Sequence, residues 1–505
     1  MATVQERLAA SLQVLKDYQE KNSMMVINSM DALGRTHTER LLNNGFLEQI
    51  IKGWYMPTFP GREGDSSVWY ACFWQFVMAY CNSRFGEDWC LTPDESLAFH
   101  SGNYLVPKQL VVRSPKATNN IISLKHDTSI LEIAGSIAKE CIVDPIYGVR
   151  IYALSEALCF ASPSFFQLDK INARTCLASI SSASDILRVV ASEGNSIRAG
   201  RIVGALQSIG RTETANEIQN SMSRLGYDIR PNNPFDENVI VPIADSPYAT
   251  RIRLSWMEMR KQIIEEGLNS SSEIALTKSE ILTAMDESYV HDAYHSLSIE
   301  GYRVTEGLIE RVRSGNWHPD EDKDDAERKN ALAARGYYQA FQKVRESVIK
   351  ILDGADPGEV FAADHDNWHF ELFEPCVQAG IISPADLFGY RTHQVYIRGS
   401  KHTPLNPDAV RPAMRTLCEL MATESDGFIR AILGHFFFVF IHPYMDGNGR
   451  TARFVMNTML CTSNMPWTII PIEKRDAYMS ALEQASTEGN ILPFAHFISS
   501  LIAKK

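Results

Sequence analysis

Apolar residues recur at helical spacing along most of the chain, and strand-like patterns are confined to a few short stretches. Near the N-terminus, residues 6–18 place Leu8, Leu12, Val14 and Leu15 on one side of an amphipathic helix. Residues 68–81 predict a second helix, and the apolar run at 109–113 has strand character. From residue 248 to the end, helical periodicity dominates, so a mainly α protein is predicted.

The first 60 residues predict helices followed by a β-hairpin. Thr36 or Thr38 is a candidate cap for a helix, because a hydroxyl at that position accepts from the first free N–H groups. The pair Asn44-Gly45 is a turn signal, and residues 46–55 alternate in part, as strands of a hairpin do. Helices followed by a hairpin are typical of a winged helix-turn-helix, so residues 1–150 are interpreted as a winged-helix-like α+β domain.

Proline placement divides the remainder of the chain. Residues 151–230 predict a helical domain, and prolines at 231, 234, 242 and 247 break any helix across 231–250, which is interpreted as a linker. Residues 251–505 are then a second helical domain. Its one exception is 394–400, which has strand character and ends in a Gly399-Ser400 turn.

Composition narrows the class of protein. A chain of 505 residues suggests roughly three domains, and 45% hydrophobic with 22% charged residues is ordinary for a globular protein. The net charge of −12 argues against a basic surface over the whole chain. Nine scattered cysteines with no C-x-x-C pair disfavour zinc ribbons and disulfide scaffolds. No signal peptide or membrane span is predicted, so a cytoplasmic location is expected.

The stretch most informative about chemistry is 436–459. An apolar helix delivers His442, Pro443 stops that helix, and a Gly-rich loop then opens onto the N-terminus of a new helix. Free N–H groups and the helix dipole attract anions there, and Arg450 and Arg453 share one face of that helix. Two guanidinium groups beside such an N-terminus indicate a polyphosphate ligand.

Two further residues of the loop complete this interpretation. Asp446 is a candidate Mg²⁺ ligand, since Mg²⁺ prefers a carboxylate together with phosphate oxygens. His442 is the residue of the loop able to accept a proton near neutral pH. Taken singly, each of these residues has an ordinary structural interpretation. Their occurrence within twelve residues favours a phosphoryl-group chemistry instead.

Residues 442–453 resemble the signature of the Fic (Fido) family, HPFxxGNGRxxR, with Tyr444 at the usual Phe position. The resemblance covers about residues 250–505 and implies an all-helical core with a β-hairpin flap. It also implies a protein adenylyltransferase that uses ATP and Mg²⁺ to place AMP on a Ser, Thr or Tyr hydroxyl of a target protein. The implied roles are general base for His442, Mg²⁺ ligand for Asp446, phosphate cradle for Gly447, Asn448 and Gly449, and grip on the β- and γ-phosphates for Arg450 and Arg453.

Other segments extend the resemblance. Gly389-Tyr390-Arg391 and residues 395–404 are similar to the flap that docks the target by strand pairing, and Gly399 and Ser400 are expected to contact ATP. Asn457 and Tyr478 lie where the family often places nucleotide-pocket residues. Ser296 to Gly301 resembles the inhibitory motif [S/T]-x-x-x-E-[G/N], which implies an inhibitory helix near 286–301 in which Glu300 blocks Arg453 and Ser296 braces the helix.

A second function class stays open for the N-terminal part. Residues 41–55 resemble the winged-helix segment of abortive-infection-type antitoxins. In that interpretation the chain is a DNA-binding transcriptional regulator whose Fic half senses nucleotide or modifies itself. A phosphate-contacting face would then consist of Arg35, His37, Arg40, Lys108, Arg113 and Lys116. The alternative is a protein-docking domain, and a homo-oligomer is also left open. On related scaffolds phosphate or phosphocholine is transferred, but the intact GNGRxxR favours AMP.

Overall fold

The computed structural model describes residues 3–29, 32–61, 65–242, 246–268, 276–316 and 325–502. It is mainly α, as the sequence predicts, and its strands are in the N-terminal part. The chain divides into two compact units. Unit 1 comprises Met1–Arg251 with Tyr396–Thr403, and unit 2 comprises Ile252–Val395 with Pro404–Lys505. The domain boundaries at 150, 230 and 250 therefore stay predictions, since the structure groups the first two domains and the linker together.

Unit 1 begins with the predicted helices and hairpin. Helix α1 (Val4–Asn22) has a capping box at Thr3 and Glu6, α2 (Arg35–Asn43) follows, and β1 (Leu47–Ile51) pairs antiparallel with β2 (Trp54–Pro57). The apolar side of α1 packs on a small core that includes Leu41 and Leu47, which explains the spacing seen in the sequence. Winged-helix membership stays a prediction.

The larger core of unit 1 surrounds helix α3 (Ser67–Phe85), which is apolar on all sides and therefore buried. A four-stranded sheet of order β3-β4-β6-β5 packs there, with β4 and β6 parallel from Gln109↔Ser129 to Ser114↔Ala134. The remaining bounds in this region are β3 (Cys90–Leu91), α4 (Pro93–His100), β4 (Gln109–Ser114), β5 (Ile121–Ser123), β6 (Ser129–Ala134), β7 (Cys141–Val143) and β8 (Arg150–Tyr152).

Helices follow the sheet, as predicted for 151–230. They are α5 (Leu154–Phe160), α6 (Phe165–Leu168), α7 (Lys170–Ala178), α8 (Ala183–Glu193), α9 (Ser196–Ser208) and α10 (Thr212–Arg224). The proline-rich segment after them lies along α9 as extended chain. Asn232 N donates to Gly200 O at 3.0 Å and Val239 N to Ser208 O at 2.9 Å. Gly200 and Gly204 lack the Cβ that would collide with this backbone.

Unit 2 contains α11 from Ile252 onward and all later helices. Their bounds are α11 (Pro247–Glu265), α12 (Lys278–Ile299), α13 (Glu306–Arg313), α14 (Asp325–Leu352), α15 (Pro357–Gln378), α16 (Pro407–Thr423), α17 (Gly427–Ile441), α18 (Asn448–Cys461), α19 (Arg475–Glu488) and α20 (Leu492–Ile502). Helices α17 and α18 are buried nearly throughout and form the centre of the unit. Among the described residues, no helix is both long enough and apolar enough to span a bilayer.

The β-hairpin expected for the flap is absent. The described residues 391–405 contain no strand, and a turn is closed by Ser400 N donating to Ile397 O at 3.1 Å. Side chains replace a strand ladder here. Gln394 Nε2 donates to Pro404 O at 2.8 Å across the base, while Gly399 N donates to Ser67 Oγ at 2.7 Å within unit 1. Backbone groups satisfied in this way have no need of a partner strand.

Candidate active site

His442 is placed by the end of α17. The helix is apolar and buried, and His442 follows its last residue with left-handed dihedrals of φ 55° and ψ 62°. Its N–H still closes the helix by donating to Phe438 O at 2.9 Å, and Pro443, which has no N–H, cannot extend the helix. A non-glycine residue in this conformation is uncommon and clusters at functional sites.

The ring of His442 is oriented by the same helix end. Nδ1 lies 3.2 Å from Val439 O, and because a carbonyl only accepts, the proton is on Nδ1. Nε2 is then left with a lone pair. Burial lowers the pKa of His442 to about 4, against a smaller opposing effect of the Val439 carbonyl. The imidazole is therefore neutral at pH 7 and competent to accept a proton.

Arg391 holds the backbone at this point, a role that the sequence did not suggest. Its Nε donates to His442 O at 2.7 Å, its backbone N donates to Pro443 O at 2.9 Å, and its guanidinium also binds Leu405 O. Burial lowers the pKa of Arg391 to about 10. The Gly-Tyr-Arg string was visible in the sequence, but only packing shows that its arginine organises the loop.

The loop from 442 to 449, called the motif loop below, leaves the start of α18 open. Gly447 is the N-cap with φ 82°, and no side chain caps the helix. Asn448 instead fixes the preceding turn, since its Oδ1 accepts from Tyr444 N at 2.9 Å and its Nδ2 donates to Tyr444 O at 2.8 Å. The first N–H groups of α18 are therefore available to an anion.

Arg450 lies under this helix start and is 1% exposed. Its guanidinium carbon is 4.8 Å from the ring centre of Phe373 and 5.3 Å from that of Tyr302. The aromatic faces stabilise a cation that has little water around it. Its Nη2 is 3.5 Å from Asp446 Oδ1, while Nε is buried without a hydrogen-bond partner. A buried, incompletely paired cation favours an anionic ligand.

Arg453 forms hydrogen bonds with Ser296 and Glu300, two residues of the segment that resembles an inhibitory motif. Its Nε donates to Ser296 Oγ at 2.8 Å, and its Nη2 donates to Glu300 Oε1 at 2.7 Å. Arg453 is 3% exposed and its Nη1 is buried without a partner. Burial acts to lower the pKa of Arg453, but the carboxylate of Glu300 reverses this and raises the pKa above its ordinary value.

The Glu300 carboxylate also lies at the start of α18. A Cβ added to Gly449 would be 2.5 Å from Glu300 Oε1 and 3.3 Å from Arg453 Nη1. One negative group therefore sits beside both the open helix N-terminus and the buried guanidinium. Glu300 is the C-cap of α12, whose last residue is Ile299. Glu300 and Arg453 are 153 residues apart in sequence, and the fold brings them together as the motif resemblance suggested.

The other predicted nucleotide contacts differ in their placement. Tyr478 is buried beside Arg453, with its hydroxyl 2.8 Å from His435 Nε2, and burial raises its pKa to about 12. Asn457 uses both ends of its amide on the backbone of Thr468. Gly399 and Ser400 group with unit 1. The nucleotide roles of all four residues stay predictions.

Asp446 is the metal-ligand candidate of the motif loop. Its carboxylate is 68% exposed at the mouth of the loop, and one oxygen accepts from Gly447 N at 2.5 Å. No cluster of three or more His, Cys, Asp or Glu side chains able to hold a metal occurs among the described residues. One accessible carboxylate is the donor set that fits Mg²⁺ carried by phosphate oxygens and water.

Three of the predicted phosphate-contacting residues in the N-terminal part have local partners. Arg35 pairs with Glu39 at 2.9 Å, Arg40 Nη1 donates to Ser11 Oγ at 2.7 Å, and Lys116 pairs with Asp88 at 2.7 Å. These contacts reduce the charge available to a phosphate backbone. DNA contact by unit 1 stays a prediction without support from the geometry.

Histidines of unit 2 whose pKa values are lowered by burial predict an acid-sensitive fold. Burial lowers the pKa of His369 and of His442 to about 4 and that of His435 to about 3. An unfolded histidine titrates near 6.5, so between about pH 6.5 and 4 the unfolded chain binds more protons than the folded chain. The free energy of unfolding therefore decreases as the pH is lowered through this range. We expect amide protection in α17 and α18 to decrease from pH 7 to pH 5, after correction for intrinsic exchange. Equal protection of α17 and α18 at both pH values would contradict the predicted acid sensitivity. In unit 1, burial raises the pKa of Glu95 to about 7, and this raised pKa makes unit 1 more stable as the pH is lowered.

Part of the sequence is similar to known proteins. Residues 364–460 match the family model described as Fic/DOC family. A protein of Drosophila virilis named "Protein adenylyltransferase Fic" is 30% identical over 251 residues, which cover 49% of this chain and 48% of the relative. The relative of that name in Drosophila grimshawi is 29% identical over 279 residues, 54% of each. The chain thus spans about half the length of the curated relatives it matches.

Similar solved structures are more distant in sequence. Residues 134–508 of Fic-1 from C. elegans align with 66% of this chain and 90% of that one, at 20% identity and a TM-score of 0.37. A Fic domain protein from Bacteroides thetaiotaomicron aligns with 51% of this chain and 93% of that one, at 18% identity and a TM-score of 0.34.

Proposed function

We propose that this chain, which carries a domain of the Fic/DOC family over residues 364–460, is a protein adenylyltransferase. The observation that carries the proposal is the motif loop itself. Within it, a neutral histidine with a free Nε2 lone pair stands next to an open helix N-terminus backed by two buried arginines. The relatives named protein adenylyltransferase support the same activity.

In the proposed binding mode, the triphosphate of ATP lies at the start of α18. The N–H groups that follow Gly447 donate to phosphate oxygens, and the absence of a side chain at Gly449 lets the phosphate approach the backbone closely. Arg450 and Arg453 supply two buried positive charges for the β- and γ-phosphates. Because both guanidinium groups are held in place by packing, little reorganisation is needed as charge moves in the transition state.

Transfer then requires one proton acceptor and one displacement. His442 Nε2 takes the proton of a Ser, Thr or Tyr hydroxyl on the target protein. The target oxygen forms a bond to the α-phosphorus, the bond from that phosphorus to the β-phosphate oxygen breaks, and pyrophosphate leaves. Nδ1–H donation to Val439 O stabilises the imidazolium formed in this step. Docking of the target along the flap stays a prediction.

Asp446 would hold Mg²⁺ beside the phosphates of bound ATP. The ion would supply neutralisation of phosphate charge there and orientation of the leaving group. The chain contributes the carboxylate and holds it at the mouth of the motif loop through the turn that Asn448 fixes.

We also propose that Glu300 inhibits the transfer. Its carboxylate pairs with Arg453 and lies where the γ-phosphate would bind, so it both neutralises the arginine and repels the phosphate. Ser296 braces α12 against the same guanidinium with its hydroxyl and its carbonyl. The chain is then a self-restrained enzyme whose activity depends on displacement of α12.

Incubation of the Glu300→Gly variant with ATP, Mg²⁺ and a cell lysate tests the proposed activity. Intact-mass and peptide spectra should reveal added AMP on the chain itself or on lysate proteins. A phosphate or phosphocholine adduct in place of AMP would contradict the adenylyltransferase assignment and favour another transfer on the same scaffold. The Glu300→Gly, His442→Ala double variant is the blank.

Replacement of the metal-ligand candidate should change metal dependence more than nucleotide affinity. We expect Asp446→Ala to raise the Mg²⁺ concentration needed for half-maximal transfer by about tenfold or more, because the ion loses its protein ligand. Binding is not abolished, since the phosphate oxygens of ATP remain as ligands. Excess Mg²⁺ or Mn²⁺ should restore part of the rate. Asp476→Asn, which alters an exposed carboxylate of α19, is the comparison. A Mg²⁺ titration curve identical to that of the parent would place the ligand elsewhere.

A further inference from the structure

The underside of the motif loop rests on α15 through two stacked rings. The rings of Tyr444 and His369 lie with their centres 3.6 Å apart and their planes at 9°. Both side chains are buried, at 2% and 5% exposure. Because both rings are buried and stacked at this distance, a displacement of one ring is passed to the other.

The His369 ring makes a direct bond to the residue proposed to hold the metal. Its Nε2 is 3.0 Å from the backbone carbonyl of Asp446. Since a carbonyl oxygen only accepts, Nε2 is the donor and the ring orientation is determined. This bond holds the peptide plane that joins Asp446 to Gly447, and so restrains the backbone from which the Asp446 side chain extends.

Gly447, the next residue, packs closely against α15. Gly447 has φ 82°, and a Cβ there would be 2.7 Å from the Phe373 ring and 3.3 Å from His369 Cδ2. The motif loop is therefore closely packed against α15 at Gly447. A shift of His369 would be transmitted to Asp446 through a hydrogen bond and to Gly447 through van der Waals contact.

Tyr444 differs from the phenylalanine usual at this position, and its extra hydroxyl has a dedicated partner. The hydroxyl donates to the Asp366 carboxylate, one turn of α15 before His369. A buried hydroxyl without a partner costs about 1–3 kcal/mol, whereas removal of both partners is nearly neutral. Asp366 thus locks the Tyr444 ring, and through stacking it locks His369.

From these contacts we infer that His369 and Tyr444, locked by Asp366, are positioning residues that aim the Asp446 carboxylate at the metal of the bound nucleotide. The inference rests on the proposed function for the identity of the metal–nucleotide ligand. It gives a positioning role to His369, Tyr444 and Asp366, none of which takes part in the transfer reaction itself. Groups that orient a metal ligand commonly change metal affinity by about 10–100-fold when they are replaced.

The test measures metal binding directly, without a requirement for transfer. Full-length protein in the Glu300→Gly background is titrated with Mn²⁺ in the presence of ADP, and free Mn²⁺ is followed by electron paramagnetic resonance. His369→Phe keeps a flat ring for stacking but removes the donor to Asp446. We expect it to weaken Mn²⁺ binding by about tenfold or more while ADP affinity without metal is unchanged.

A matched control is the neighbouring residue of the same helix. Trp368 is also buried, and its Nε1 donates to Ser347 Oγ at 3.1 Å instead of to the motif loop. Trp368→Phe keeps a flat ring, removes a buried donor and should leave Mn²⁺ affinity within about twofold. Equal losses in the Trp368 and His369 variants would mean that damage to α15 is responsible, which would overturn the inference.

A rescue experiment separates positioning from folding. Asp366→Ala leaves the Tyr444 hydroxyl buried without its partner and should weaken Mn²⁺ binding, and the added change Tyr444→Phe should restore most of it. Failure of this rescue, or wild-type Mn²⁺ affinity in a folded His369→Phe variant, would overturn the inference. A parent protein with no ADP-dependent Mn²⁺ binding would also overturn it. A parent that binds Mn²⁺ and ADP but transfers no AMP would remove the proposed function and leave the positioning role standing.

Discussion

Glu300→Gly is expected to raise self-labelling with AMP, and labelling of target proteins, by about tenfold or more. The estimate follows from the hydrogen bond between a carboxylate and a buried guanidinium, which is typically worth about 1.5–3 kcal/mol. In the parent protein, Arg453 Nη2 is engaged by Glu300 Oε1 at 2.7 Å, and the same carboxylate faces Gly449 at the start of α18. Without it, the guanidinium and the helix N-terminus are both available to the γ-phosphate.

The structure adds a cost that the motif alone does not indicate. Arg453 is 3% exposed, and once Glu300 is gone it loses its carboxylate partner while it keeps its bonds to Ser296. The apo variant should therefore unfold at a lower temperature than the parent, and ATP should restore much of the difference by binding the vacated cation. A melting curve with and without ATP measures both effects.

Glu287→Gly is the matched control, because Glu287 is exposed on the same helix and glycine there costs about 1 kcal/mol of helix stability. If α12 only needs to be loosened, this control will also raise labelling. If the carboxylate itself blocks the phosphate, only the change at Glu300 will do so, and Glu300→Gln will lie between parent and Glu300→Gly. Unchanged or lower AMP transfer by folded Glu300→Gly would sink the inhibitory role.

His442→Ala, in the Glu300→Gly background, is expected to reduce AMP transfer by about 10²–10⁴-fold with little change in ATP affinity. The residue contributes a proton acceptor, while the phosphate contacts come from α18 and its two arginines. Labelling with α-labelled ATP measures the first quantity, and calorimetric titration with ATP measures the second. His393→Ala, at an exposed histidine whose Nδ1 lies 3.0 Å from Thr392 Oγ1, is the comparison.

The pH dependence provides a second test of the same residue. Burial lowers the pKa of His442 to about 4, so its Nε2 stays unprotonated at mildly acidic pH. Over the range in which the protein stays folded, the rate should not fall as pH decreases through 6.5, the ordinary value for histidine. A loss of rate centred at 6.5, or unchanged labelling by folded His442→Ala, would assign the proton transfer to another group.

Local features of the site were predictable because they depend on residues close together in sequence. A helix of continuous apolar residues, a proline that ends it, a glycine at the next helix start and two arginines three positions apart determine the segment from 442 to 453. The mainly α class and the N-terminal helices and hairpin follow from periodicity for the same reason. The flap shows the limit of this reasoning, since strand-like residues formed no strand once side chains satisfied their backbone.

The sequence by itself determined which groups could do the chemistry, because spacing along a helix and turn residues act over a few positions. Tertiary structure alone decided which distant groups face them: Glu300 on Arg453, Arg391 on the carbonyl of His442, and the His369–Tyr444 stack beneath Asp446. These pairings join segments that are separated by tens to more than a hundred residues. Their physical basis is the close packing of buried side chains, which selects one partner among many of equal local propensity.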